Sequence, residues 1–387
     1  MMGAPRVLFA YTHLLGVGHV HRAAALARAM ADAGLAVHGV HGGVRVPHLA
    51  WPGEALHHLP PVAARDASYA ETLDGEGRPL GPHWLRRRRE ALLRVAQAVR
   101  PDAILVEAWP FGRRFMAREM LALASAWPGV PLAVSVRDIL QARKAGRARE
   151  TADLVNAHVA RVLVHADPAI VRLADTFEEA AAIGPRTVHT GFVAPPAPRA
   201  VRDGAPPADV LVSAGGGAFG GDLMRAACAA AALTPDRRWH IVTGPNLDAG
   251  ERDALAVPPN ARLSIRVDAL AAHMMAARVT VSQCGYNTAM DTLHAARAGT
   301  RTVFVPHDTT GQTEQRRRAE IFARAGRAVC LPQSALTPRG LVAAIETAPD
   351  PSGLAMPDMD GAPASARILA TLAVRRGPED PPAGEGR

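Results

Sequence analysis

A chain of 387 residues with 48% hydrophobic content is too long for one ordinary core and suits two globular domains. Its net charge of +8 comes mainly from arginine, but acidic residues are plentiful and interspersed, which argues against a general polyanion binder. Three cysteines, Cys228, Cys284 and Cys330, lie far apart without a CxxC pair and are odd in number, so neither a disulfide framework nor a zinc site is indicated.

In chain order, residues 6–11 (RVLFAY) read as a short buried strand, 19–33 as an alanine-rich amphipathic helix and 36–40 as a second strand. Helices follow at 85–99, 114–126 and 148–160, interleaved with strands at 103–106, 132–136, 162–165 and 187–192. The proline-dense segment 195–207 (PPAPRAVRDGAPP) interrupts the pattern and suits an extended linker between domains over 1–194 and 208–375. Alternation then restarts. Strands are expected at 210–213, 240–243, 263–267, 279–282 and 302–306. Helices are expected at 222–233, 270–277, 288–298, 315–325 and 338–348, with a last one at 364–374 that could pack back on the first domain. Residues 376–387 read as a disordered tail. Strands alternating with helices of this length imply βαβ units, hence an α/β fold of two doubly wound Rossmann-like domains facing across a cleft. Ligands of such sheets lie beyond the carboxyl ends of the strands, so the chemistry is expected in the loops found there.

The first of these loops, LLGVGHVH (14–21), places Gly16 and Gly18 before the first helix. They permit a tight turn and close approach of a ligand to the backbone, and the helix terminus favours an anion. GxGH lacks the third glycine of the dinucleotide fingerprint. His19 at this helix start is a candidate general base, because the positive helix end favours neutral imidazole; a packing or capping histidine fits the same position. SAGGGAFGG (213–221) has more glycine than a turn needs, and its amides could wrap a phosphate, but no Gly-Lys-Ser/Thr follows.

SQCGYNTAMD (282–291) leaves a strand and enters a helix. Thr288 and Asp291, three apart, fit a capping box. They fit equally a site in which amides of Gly285–Thr288 hold a phosphate and Asp291 accepts from sugar hydroxyls. HDTTGQTEQ (307–315) is a polar loop able to grip hydroxyls or simply to be solvated, and Arg86–Arg89 reads as a solvated helix face.

Taken together, these segments resemble the MurG-like GT-B glycosyltransferases of family 28, especially a group of predicted bacterial glycosyltransferases. The resemblance rests on GVGHVHRAAALARAM, EAWPFGRR and SVRDIL in the first half, and on SAGGG, SQCGYNTAMDTLHAARAGTRTVFVP and TEQRRRA in the second. It implies a donor site in which Gly215, Gly216 and Gly217 lie near a diphosphate and Arg266 and Val267 hold the base through backbone. It likewise implies that Gly285, Tyr286, Asn287 and Thr288 form the turn aimed at the diphosphate, with Asp291 on the ribose, where a Glu is familiar. Glu314 and Gln315 match a Gln-Gln pair that contacts the transferred sugar, and the Glu departs from it. His19 matches the first-loop histidine and Asp138 an acidic residue on the acceptor side; these are the two candidates for the base.

The implied reaction is inverting transfer of a hexosyl group, including the N-acetylhexosaminyl type, from a UDP-sugar or other nucleotide diphosphate sugar to a hydroxyl on a glycan, lipid-linked or small acceptor. No cofactor is expected, because helix termini and glycine amides can stabilise the leaving diphosphate without a metal. A nucleotide-sugar hydrolase or 2-epimerase on the same scaffold is the alternative, followed by a non-catalytic polyanion binder. No segment approaches the roughly 18–20 apolar residues of a membrane span, and the N-terminus lacks the pattern of a secretory signal. The expectation is a reduced, cytoplasmic protein that touches a membrane only peripherally and binds no nucleic acid.

Overall fold

The apolar runs assemble into two separate sheets, each covered by helices on both faces, which is why several strands are buried along their whole length. The computed structural model describes residues 3–15, 18–46, 50–65, 71–141, 146–195, 197–198, 207–214, 220–307 and 313–374. In the first half the chain runs β1 (Arg6–Tyr11), α1 (Gly18–Asp32), β2 (Ala36–Gly43), β3 (Ala55–Ala64), β4 (Thr72–Asp74) and α2 (Pro82–Val99). It continues through β5 (Ala103–Glu107), α3 (Ala117–Ala126), β6 (Leu132–Arg137), α4 (Arg147–His158), β7 (Arg161–His165) and β8 (Thr187–His189). The strand order is β4-β3-β2-β1-β5-β6-β7-β8, parallel except for the β3–β4 pair.

The second half runs β9 (Val210–Ser213), α5 (Gly221–Ala232), β10 (Trp239–Val242), α6 (Ala249–Asp253), β11 (Ala261–Ser264), α7 (Leu270–Ala276) and β12 (Val279–Ser282). Next come α8 (Tyr286–Ala296), β13 (Arg301–Phe304), α9 (Glu314–Arg324), β14 (Val329–Cys330), α10 (Pro338–Thr347) and α11 (Gly361–Val374). Its sheet is wholly parallel in the order β11-β10-β9-β12-β13-β14.

Each sheet reverses its winding at one point, between β1 and β5 in the first and between β9 and β12 in the second. There the loops leaving neighbouring strands diverge and open a crevice. The two crevices face each other. Their walls share one apolar cluster, in which Ile139 and Phe192 of the first half join Tyr286, Met290, Phe304 and Phe322 of the second.

The last helix leaves the second half. α11 packs on α1, with Ala362, Ala366 and Leu369 in the same cluster as Val7, Phe9 and Leu26. Glycine is required where it arrives: a Cβ on Gly361 would overlap the Gly191 carbonyl. The linker reading is outside the described residues over most of its length, and the reading of 376–387 as a disordered tail falls entirely outside them.

Two sequence readings are corrected here. β3 and β4 occupy a stretch in which no strand is expected, because ALHHLPPVAA breaks its apolar run with two histidines and two prolines. A register shift between His41 and Gly43 in the paired strand accommodates the irregular ladder. The run Arg86–Arg89 is not uniformly a solvated face. Arg88 shares the buried stripe Trp84, Leu92, Ala96 and Val99 of α2 and is fully buried. It donates to both Glu119 oxygens (3.2 and 3.0 Å) and to the Gly42 and Pro60 carbonyls (2.8 and 2.6 Å).

Candidate active site

His19, the second residue of α1, enters the first crevice because the loop after β1 turns there into a helix. Glu107 ends β5, the neighbouring strand across the winding reversal, and closes an otherwise wholly apolar run. His19 Nδ1 lies 2.6 Å from Glu107 Oε1, and Arg22, one turn further along α1, donates to the same oxygen. Arg113, in the loop after β5, places Nη2 3.3 Å from His19 Nε2 and donates from Nε to the Thr12 carbonyl (3.2 Å). The His19 side chain is 21% exposed, whereas that of Glu107 is 2%.

Burial lowers the His19 pKa to about 4 against the opposing pull of Glu107, with Arg113 and Arg22 adding to the drop. For Glu107, burial pushes upward, but His19, Arg22 and Arg113 together bring its pKa down to about 2. The pair is therefore a neutral imidazole beside a carboxylate at neutral pH. The tautomer that fits donates Nδ1–H to Glu107 and leaves the Nε2 lone pair as an acceptor, with Arg113 Nη2 3.3 Å from it.

Across the cleft stands the start of α8. Gly285 is the N-cap, with extended backbone (φ −65°, ψ 156°) and no side chain on the cap. The amides of Tyr286, Asn287 and Thr288 are thus first-turn groups without intrahelical acceptors. Thr288 lies inside the helix, which begins two residues before the expected position, so the capping-box account of Thr288 and Asp291 is overturned. Gly18 and Asn287 meet across the cleft, since a Cβ on Gly18 would lie 3.6 Å from Asn287 Nδ2. Asp291, on the second turn, is half-buried, and among the described residues no side chain pairs with it. Burial alone raises its pKa from 3.8 to about 7.

Two expected ligand-facing side chains, Asp138 and Glu314, are committed elsewhere, and so is the ring of Tyr286. Asp138, after β6, is fully buried and takes two hydrogen bonds from Arg318 of α9, at 2.6 and 2.8 Å. Such a carboxylate has no lone pair directed to the cleft, so Asp138 is a bridge between the halves and not an available base. Glu314 opens α9 and is held by Arg318 (2.6 Å) and by Arg137, with Gln141 Nε2 at 3.5 Å. Burial opposes its ionisation, yet Arg137 and Arg318 lower its pKa, so its departure from glutamine serves an ion network. The Tyr286 ring is buried, its hydroxyl accepting Val193 N–H (2.9 Å) and donating to the His165 carbonyl (3.4 Å); only its amide remains for a ligand.

Gln315 faces the same region and accepts His307 N–H at 3.1 Å. Arg266 and Val267 lie in the loop after β11, the arginine exposed and the valine packed against the cluster of Leu211, Val242 and Met274. Gly16, Gly215, Gly216 and Gly217, together with most of the polar loop after β13, lie outside the described residues.

Sequence reasoning missed Glu107, Arg22, Arg113 and Arg318. One signal was available for Glu107: a lone carboxylate ending the buried strand AILVE has to be paired. Among the described residues no group of three metal-ligating side chains converges, and no helix is long and apolar enough to cross a membrane.

Residues 216–367 match the glycosyltransferase family 28 C-terminal domain. No curated protein matches the chain by sequence. Solved structures match it over nearly its whole length. CalG4, the calicheamicin glycosyltransferase, superposes with a TM-score of 0.59 at 18% identity, covering 97% of this chain and 96% of that one. MurG of Acinetobacter baumannii gives 0.60 at 16% identity over 96% and 100%. UGT2 of Phytolacca americana, solved with UDP-2fluoro-glucose and pterostilbene, gives 0.59 at 15% identity over 96% and 95%. At these identities the likeness is one of fold, two parallel sheets facing across a cleft.

Proposed function

We propose that the chain, in which residues 216–367 match the glycosyltransferase family 28 C-terminal domain and whose fold is that of the GT-B enzymes, is a glycosyltransferase that moves a hexosyl group from a UDP-sugar to an acceptor hydroxyl, with inversion and without a metal. The observation that carries the reading is the His19–Glu107 pair facing the open amides of α8 across the cleft. The C-terminal half holds the donor and the N-terminal half the acceptor.

His19 Nε2 takes the proton of the acceptor hydroxyl as that oxygen attacks the anomeric carbon. The bond from that carbon to the diphosphate oxygen breaks, and its electron pair leaves with the diphosphate. The first-turn amides and positive end of α8 stabilise the charge that develops there. Glu107 stabilises the imidazolium formed on His19 and holds its ring in the reactive tautomer. Glu107 and Glu314, two carboxylates that interact electrostatically with His19, are both bound by arginines, which favours a single displacement over a covalent intermediate. Asp291 accepts hydroxyls of the nucleotide ribose. The choice of uridine is supported by one similar structure, the UGT2 complex with UDP-2fluoro-glucose.

Calorimetric titration with UDP, ADP and GDP tests the donor site, with UDP expected to bind and Asp291→Ala expected to lose it. Absence of any nucleotide binding, or equal binding by Asp291→Ala, sinks the assignment. Incubation of UDP-sugars with the enzyme alone separates transfer from its rivals: inertness supports transfer, released sugar indicates a hydrolase, and a new UDP-sugar indicates an epimerase.

A further inference from the structure

Between the His19–Glu107 pair and the helix facing the diphosphate, side chains from both halves stand in one file. Arg22 donates to the Glu107 oxygen that also contacts His19. The Arg22 guanidinium carbon lies 5.5 Å from the centroid of the Tyr286 ring, and that of Arg318 lies 5.7 Å from the same centroid. Tyr286 is the first residue of α8, yet its hydroxyl is bound to Val193 and His165 of the N-terminal half. Its backbone belongs to the donor helix, and its ring belongs to the opposite wall.

Hydrogen bonding alone does not explain where Arg22 sits. Arg22 Nε and Glu107 Oε2 are both buried without a partner. A guanidinium placed only by the carboxylate would take the two-bond fork that satisfies both atoms. Arg22 instead turns Nη2 to Glu107 Oε1 and to within 3.1 Å of His19 Nδ1, and it lies on the face of Tyr286, where the cation gains from the ring electrons in a desolvated site. In that pose Glu107 Oε1 stays turned toward His19 Nδ1.

We propose that Arg22 is a positioning residue, held by the Tyr286 ring, that ties the docking of α8 against the N-terminal half to the orientation of the His19–Glu107 pair. The proposal rests on the reading of His19 as the base, but the state of its proton can be followed whether or not it acts in catalysis. The charged and titratable groups around the pair are Arg22, Arg113, Glu314, His13, Tyr11 and His165. Of these, Arg22 shares the Glu107 oxygen with His19 and touches the donor helix. Withdrawing its positive charge relieves repulsion on a protonated imidazole, so His19 then holds a proton to higher pH.

The test uses the full chain labelled with 15N-histidine, with His19 identified by His19→Gln. Long-range proton–nitrogen spectra report its tautomer and charge from pH 4 to 8. Wild type and Tyr286→Phe, which keeps the ring, are expected to show neutral Nδ1–H imidazole down to about pH 5, because the folded pKa is about 4. Tyr286→Leu is expected to raise the midpoint by roughly one pH unit and to mix the tautomers. If near-UV circular dichroism shows that Tyr286→Leu has lost its fold, Arg22→Gln, which keeps the ring, carries the same expectation. A folded Tyr286→Leu or Arg22→Gln with the wild-type His19 midpoint and tautomer overturns the proposal. Failure of the base assignment looks different: His19→Gln would remain active while the spectral shift persisted.

Discussion

Replacing Asp291 with asparagine is expected to make the free protein more stable and its nucleotide binding weaker. The carboxylate is half-buried on the second turn of α8, with no partner among the described residues, and burial raises its pKa from 3.8 to about 7. That difference of about three pH units corresponds to about 4 kcal/mol at 1.36 kcal/mol per unit. The folded pKa lies above the unfolded one, so the folded state keeps its proton after the unfolded state has lost it. Stability therefore falls as pH rises from about 3.8 to about 7 and is flat above that. Asparagine removes this loss, so the variant should match wild type near pH 4 and exceed it by about 2–4 kcal/mol at pH 8.5. Urea unfolding at the two pH values measures the gain. The same carboxylate, once ionised, is what ribose hydroxyls would satisfy, so UDP affinity should drop at least about tenfold in the variant and, in wild type, rise with pH through 7. Equal stability at pH 8.5 refutes the desolvation argument, and a stabilised variant with unchanged UDP affinity refutes the ligand-facing role.

Other outcomes follow from the same geometry. His19→Gln should reduce transfer by about 10²–10⁴ while UDP affinity stays at the wild-type value, read by steady-state kinetics and calorimetry. Because neutral His19 is the active form, kcat/KM should fall only as pH drops toward about 4, and Glu107→Gln should lower kcat without altering donor affinity. Arg318→Met leaves Asp138 buried and uncompensated, so urea unfolding should register a loss of about 3–5 kcal/mol, with much of it recovered in Arg318→Met combined with Asp138→Leu. Gly361→Val overlaps the Gly191 carbonyl and the Phe192 backbone, and hydrogen exchange should show α11 released from α1 at a cost of about 1–3 kcal/mol.

The alternating pattern was legible in the sequence wherever apolar runs were clean, as in RVLFAY at β1 or VLVS at β9. It was not legible in ALHHLPPVAA, where histidines and prolines hide a strand that pairs with β2. His19 was visible because glycines precede it at a strand-to-helix turn. Its partner was harder to find, since Glu107 is 88 residues away and only the winding reversal makes β1 and β5 neighbours. Asp138 and Glu314 illustrate the opposite error. Family position suggested roles at the ligand, but Arg318, 180 residues from Asp138, draws both carboxylates into one buried network.

From sequence alone, period and loop composition determined the alternation of strands and helices, the edge of each sheet that carries the polar loops, and the segments that open α1 and α8. These are local properties, written in side-chain spacing and in glycine placement. Tertiary structure decided which carboxylate serves His19, which carboxylates lock the halves together, and that Asp291 stands unpaired among the described residues while Thr288 does not cap. Those outcomes depend on which charges share a low-dielectric space, and a buried carboxylate is set by the cation it meets across the fold, whose distance along the chain carries no signal.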